Sequence, residues 1–303
     1  MQSSCIAAVL AVAAALSSLA FTGGQVGLKE KSASSQDLKL SGDLPGLPPG
    51  SVRYITYDEL DHLPQVTFKV SDDPNFNGAA EVGGVYLDEV LRALKIPEQG
   101  TLIAAICDDE YEAHYTSDYL RAHRPILVLH LDGKPLAQFP RTADGGAYGP
   151  YLVSHASFQP RFHILAHAEE SQIPNGVIEL RFLKQDQVLD AIKPRGSFAA
   201  GSPQLEGYRI AEENCFRCHN AGSYGGHKAG RSWSSLAHIA QADPKGFAAY
   251  IKDPQSQDPT AAMPGNPEYD DATLHLLTAY FQTFAPAPEK RPANAAEKPQ
   301  VSR

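Results

Sequence analysis

Residues Cys215-Phe216-Arg217-Cys218-His219 limit this chain more than any other stretch of it. Two thiols three positions apart can each form a thioether to one of the two vinyl groups of a single porphyrin. An imidazole placed directly after them then lies under the ring, within reach of the iron. A redox dithiol or half of a zinc site uses the same two cysteines. A zinc site needs a second Cys/His pair at ligand spacing, and none follows; a redox pair has no need of His219. The expectation is therefore one covalent haem c on Cys215 and Cys218, with His219 as an axial ligand of its iron.

The 303-residue chain is long enough for about two domains. Its net charge of −9 argues against a nucleic-acid partner and against a polybasic membrane contact. Residues 6–20 are an Ala/Val/Leu-rich run broken only by Ser17 and Ser18, and Ser18-Leu19-Ala20 offers small residues for cleavage. Residues 1–20 thus read as a signal peptide, although no Lys or Arg precedes the run. The alternative is a retained N-terminal anchor; the run is short for a bilayer span, so no stable span is expected unless the segment is kept. Of the four cysteines, Cys5 goes with the signal and two go to the haem. No disulfide framework is left, and Cys107 reads as a small buried hydrophobe.

Residues 21–50, rich in Gly, Ser, Lys and Pro, read as a flexible tether. Residues 51–192 read as an α+β, mostly β domain. Strand-like runs lie at 65–70, 102–106, 126–131 and 177–182, a helix at 86–94 and a tight turn at Asp132-Gly133. Residues 193–204 read as a linker, 205–285 as an all-α domain, and 286–303 as a disordered tail.

The helical block resembles the class I cytochrome c family. Gly207 stands eight positions before Cys215 (215 − 207 = 8), where that family commonly has glycine because its first and last helices cross closely. The last helix is expected over residues 270–284, with Asp270 and Asp271 at its positive N-terminal end and Pro286 after it. Met263 lies 44 residues after His219 (263 − 219 = 44), in a Met-Pro loop like the family's, and is the only thioether besides Met1. It is the expected sixth iron ligand, with His227, His238 and His275 as competitors. Many family members have a proline about a dozen residues past the haem histidine, whose carbonyl receives the imidazole N–H. None stands here before Pro244, so another carbonyl has to serve. Arg231 and Trp233 are candidate donors to the haem propionates; for Trp233 plain packing on the haem edge is the alternative. The resemblance implies attachment of the haem on the outer side of a bacterial inner membrane, hence a periplasmic location, and redox partner proteins.

The N-terminal block resembles the molybdopterin-binding domain of the sulfite-oxidase family. The matching stretches are residues 84–91, 108–111, 127–136, 149–153 and 177–182. In that family a cysteine thiolate upstream of the Gly-Val-x-Leu helix binds molybdenum. The corresponding residues 66–74 contain none, so molybdopterin is not expected. His155, His163 and His167 cluster in sequence, but the spacing fits a strand as well as a helix and satisfied histidines are the plainer reading. Asp108, Asp109 and Glu110 read as a solvated turn.

Three functions follow. The first is an exported monohaem cytochrome that relays single electrons, with a molybdenum-free docking or binding module in front; no catalytic residue is assigned. The second is a self-contained sulfite-dehydrogenase-like molybdenum/haem oxidoreductase. The third is a haem-based sensor with a replaceable sixth ligand.

Overall fold

The computed structural model describes residues 26–135, 138 and 149–284. The expected signal peptide, the first residues of the expected tether and the expected tail lie outside the described residues. In chain order the elements are β1 (Leu38–Gly42), β2 (Arg53–Ile55), α1 (Tyr57–Asp61), β3 (Gln65–Val70), β4 (Ala80–Tyr86), α2 (Leu87–Ala93), β5 (Thr101–Cys107) and β6 (Glu112–Tyr115). There follow α3 (Ser117–His123), β7 (Ile126–Leu131), β8 (Lys134–Pro135), β9 (Tyr151–Ser154), β10 (His163–Ile164), β11 (His167–Ala168) and β12 (Asn175–Lys184). The described elements after β12 are helical: α4 (Gln185–Ile192), α5 (Pro203–Asn214), α6 (Trp233–Ala242), α7 (Pro244–Lys252), α8 (Pro254–Gln257) and α9 (Asp271–Phe281), closed by a 3-10 turn at Gln282–Phe284.

The fold is mixed α and β, organised on β12. This ten-residue strand pairs parallel with β1 and antiparallel with both β5 and β9, with a register shift between Val177 and Glu179. From β9 the sheet runs on through β7 and β4 to β3, and from β5 to β6. The shift lets one strand serve two branches, which curls the sheet.

β5 shows why its sequence is a continuous apolar run. Successive strand side chains point to opposite faces. Ile103, Ala105 and Cys107 enter the core between the sheet and α2 and α3, while Leu102 and Ala104 enter a second core. That second core continues through Val188 and Ile192 of α4 into Ile210, Leu236, Phe247, Leu277 and Tyr280 of the later helices. The sheet and the helices therefore share one apolar interior.

Six helices start on a side chain that accepts a backbone N–H of the first turn: Thr56, Thr116, Ser232, Asp243, Asp253 and Asp270. Each such cap is worth about 1 kcal/mol. The expected helices at 86–94 and 270–284 correspond to α2 and to α9 with its 3-10 turn.

The tether reading needs correction. Within 21–50, β1 is a fully paired strand with Leu38 and Leu40 at 0% exposure. Its Leu-Lys-Leu alternation is too short to stand out among Ser, Gly and Pro, and its partner residues, Glu179 to Phe182, are far away in sequence. The linker reading of 193–204 holds only to Ser202, which precedes α5, and Arg195 N already donates to Thr283 Oγ1 at 3.2 Å.

Candidate functional site

α5 carries the chain to the Cys-x-x-Cys-His segment. Pro203 begins it, Cys215 is its C-terminal cap, and the Cys215 and Phe216 N–H groups bond back to Ala211 O at 2.9 and 3.0 Å. The His219 N–H then donates to Cys215 O at 3.0 Å, which closes the turn. Gly207 sits where α5 crosses α9: a Cβ there would come within 2.6 Å of Leu276 C and 2.8 Å of Tyr280 Cβ. The close crossing expected from the sequence is present.

Position on the helix decides the chemistry of the thiols. A redox dithiol needs a lowered pKa, which the N-terminal end of a helix supplies. Here both thiols lie at the C-terminal end, where the helix dipole disfavours a thiolate. Burial pushes Cys215 up to about 12 and also raises Cys218. Two thiols held protonated are poor redox nucleophiles.

His219 is buried, and its Nδ1 lies 2.7 Å from the Arg231 carbonyl oxygen. A carbonyl only accepts, so Nδ1 carries the proton and Nε2 the lone pair. Among the described residues the ring has no other hydrogen-bond partner. Burial holds this imidazole below its ordinary value despite the hydrogen bond, which keeps it in the neutral form that binds a metal. Arg231 follows His219 by 12 residues, the place where a proline carbonyl was missing. Backbone bonds hold the intervening loop: Gly226 N to Phe216 O at 3.0 Å, Ala229 N to Cys218 O at 3.0 Å and Trp233 N to Asn220 O at 2.7 Å. Gly225 has φ +83°, and a Cβ on Gly226 would run into Arg217 backbone, so both glycines are required.

The two residues between the cysteines are contacts in their own right. The Phe216 ring stacks on His114 of β6 at 4.7 Å and meets Trp233 edge-on at 5.5 Å. The Arg217 guanidinium donates to Glu170, to Glu213 O and, at 3.2 Å, to Tyr111 Oη. The Arg217 carbonyl accepts the Glu112 N–H at 2.9 Å, His227 N donates to Glu110 O at 2.9 Å, and Lys228 pairs with Asp109. The β5–β6 hairpin thus clamps the segment. Sequence reasoning missed these residues because their partners lie about 100 positions upstream.

Met263 is half-buried against the helical core, and its loop is held by Gln255 Nε2, which donates to Ala261 O at 2.9 Å and Met263 O at 2.8 Å. The competitors His227, His238 and His275 are all exposed. Arg231 is exposed, with its guanidinium 5.3 Å over the Tyr250 ring. Trp233 departs from its proposed propionate role: it is 3% exposed and gives its one N–H to Tyr280 Oη at 3.1 Å. That donor is used inside the core, as the packing alternative has it.

In the sheet, residues 66–74 form most of β3 and the turn after it, with no sulfur ligand. Cys107 ends β5 at 3% exposure, and burial drives its thiol far up. The donor set does not fit molybdenum. A cavity of about 270 Å³ beside β3 is lined by Val66, Thr67, Glu81, Gly83, Gly84 and His130. His163 and His167 sit on the paired strands β10 and β11; His167 Nδ1 is 2.8 Å from Tyr269 Oη, but its Nε2 is buried without a hydrogen-bond partner, 3.5 Å from Glu213 Oε2, so the satisfied-histidine reading holds for one ring nitrogen only. Asp109 Oδ1 accepts the Tyr111 N–H at 3.0 Å in a turn where Glu110 has φ 67°, as the turn reading expected. Among the described residues no group of three or more His, Cys, Asp or Glu side chains could hold a metal ion by itself.

No protein-family model matches the chain, and no curated protein matches it. Among solved structures it is similar to the sulfane dehydrogenase SoxCD of Paracoccus pantotrophus, at 15% identity and a TM-score of 0.33, over 51% of this chain and 40% of that one. The chain thus covers less than half the length of that relative.

Proposed function

We propose that this chain is an exported monohaem c-type cytochrome that relays single electrons between redox partner proteins. Residues 205–285 form the cytochrome domain in this reading. Residues 51–192 are a molybdoenzyme-like module without molybdenum that docks a partner. One observation carries the proposal: His219, directly after two non-nucleophilic thiols, is buried, neutral and oriented by the Arg231 carbonyl with its Nε2 lone pair unspent. A redox dithiol has no use for that imidazole, and among the described residues no further ligands complete a zinc site.

Cys215 and Cys218 would anchor the porphyrin, and His219, through Nε2, and Met263 would hold its iron. A haem with this His/Met pair supplies reversible one-electron chemistry at a raised potential and has no open position for a substrate. The chain's own part is to fix the imidazole tautomer, to hold the methionine loop through Gln255 and to lock the segment onto β6. Export through residues 1–20 places the haem in the periplasm.

The test is elemental analysis and a visible spectrum of protein matured in a host that attaches haem c. One iron per chain, no molybdenum and colour that survives denaturation are expected. Colourless protein refutes the reading, and molybdenum together with iron favours a sulfite-dehydrogenase-like oxidoreductase. Rapid carbon monoxide binding by the reduced protein favours a sensor.

A further inference from the structure

A second polar feature lies where the helices meet the sheet, and nothing in the electron-relay reading uses it. A small cavity of about 50 Å³ is enclosed by His114, Tyr119, Arg161, Gln172, Glu212, Glu213 and Phe216, among other residues. It has room for a water molecule or two.

His114 Nε2 lies 3.2 Å from Glu112 Oε2; a carboxylate accepts, so Nε2 carries the proton and Nδ1 is an acceptor. Nδ1 is buried and has no partner. Gln172 is 3% exposed, and its Oε1, a second acceptor, is also unpartnered. The Tyr119 hydroxyl accepts the Gln172 N–H at 2.7 Å and lies 2.9 Å from His155 Nε2. Arg161 is committed to Glu169, and Glu213 lies against Glu170 N at 3.3 Å and His167 Nε2 at 3.5 Å. Two orphaned acceptors call for water. Glu212 lines the same cavity.

Glu212 stands on α5 one helical turn before Cys215, about 4.5 Å of helix rise away. We propose that the cavity holds ordered water bonded to His114 Nδ1 and Gln172 Oε1, and that Glu212 is a proton-binding site coupled to the oxidation state of the haem on Cys215 and Cys218. The inference rests on the haem reading above. When the iron accepts one electron from a redox partner, the site loses one positive charge and the Glu212 carboxylate takes one proton from solvent. Oxidation returns the electron to the acceptor and the proton to solvent.

The groups facing Glu212 fit such a site. On its own helix are Tyr208, whose hydroxyl donates to it, Arg209 and Glu213. Asp190 of α4 acts on Tyr208, β6 brings His114 with Glu112, and Arg161, just before β10, comes paired with Glu169, just after β11. Burial first, and then the neighbouring Glu213, push the Glu212 carboxyl up to about 7, against the pull of Tyr208 and the two arginines.

The experiment uses the full-length haem protein. Its reduction potential is followed against pH for wild type, Glu212→Gln and Glu213→Gln. The wild-type potential is expected to fall as pH rises through neutrality, the Glu212→Gln potential to be flat there, and Glu213→Gln to keep the fall but at lower pH, because the neighbouring carboxylate that raises Glu212 is gone. A Glu212→Gln protein that keeps the wild-type slope overturns the proposal, because propionates or another group then carry it. The reduced-minus-oxidised infrared spectrum of wild type needs no variant: a protonated-carboxyl band gained on reduction at neutral pH is expected, and its absence overturns the coupling. A coloured protein failing these tests sinks the coupling alone; a colourless one sinks the haem reading and the coupling with it.

Discussion

Replacing Gly207 by alanine puts a single methyl group between two helices that have no room for it. The added Cβ would lie 2.6 Å from Leu276 C and 2.8 Å from Tyr280 Cβ, and nearer still to Leu276 O. Ordinary van der Waals contact begins near 3.4 Å. The obstruction is α9 backbone, so no rotamer change relieves it and α5 must move off by most of an ångström. That movement loosens Ile210, Leu277 and Tyr280, all 0% exposed. Overpacking of this kind costs about 3 kcal/mol. Alanine returns about 1 kcal/mol through its better helix propensity. The net loss is about 2 kcal/mol, equivalent to about 3 °C in Tm for a chain of this size. Thermal unfolding followed by circular dichroism measures it, with Gly230→Ala as control, because a Cβ there meets nothing within 4 Å. Equal stability of Gly207→Ala and wild type would refute the close-crossing argument, and so would a Gly230→Ala protein losing as much.

Tyr280→Phe removes the acceptor of the Trp233 N–H and the donor to Ile192 O; about 1–3 kcal/mol of stability should go, as for other buried groups left unpaired, measured by urea titration. Burial alone would raise the Glu169 carboxyl, but hydrogen bonds from Arg161 and then His123 bring it below its ordinary value. Its stabilisation is therefore present above the unfolded carboxyl value and lost as pH falls through the folded one. Glu169→Gln should be less stable than wild type at neutral pH, with the gap closing in acid; a gap that is constant with pH contradicts this. Cys107, buried at 3% exposure with its thiol driven up, should resist a thiol reagent until the protein is unfolded, and fast labelling of the native state would count against its placement.

The parts of this molecule that were legible in the sequence are those written in local chemistry. α2 follows from apolar spacing, α9 from Asp270 at its cap, and the α5–α9 crossing from one glycine at a fixed distance from the cysteines. The parts that were not legible depend on partners remote in sequence or on groups every residue owns. β1 becomes a strand only because β12 offers a parallel edge to it. The carbonyl that orients His219 belongs to Arg231, and no side-chain identity marks a residue for that task. The sequence leaves Trp233 open between a propionate donor and packing, and what decides it is Tyr280, 47 positions away.

Phe216 and Arg217 add a further step. As spacers between two cysteines they could be any residues whose backbone can make the turn. Here one stacks on the sheet and the other threads a guanidinium between Tyr111, Glu170 and Glu213 O. With the Glu112 N–H on the Arg217 carbonyl and His227 N on Glu110 O, the segment is held from β6 and from the turn that leads into it. Leu102 and Ala104 of the same hairpin enter the helical core. Interfaces between domains that move are small and polar; this one combines a shared apolar interior with directed hydrogen bonds at the segment itself. A haem in this place would keep a fixed orientation toward the sheet, so a partner docking on the sheet would meet it at one distance and angle.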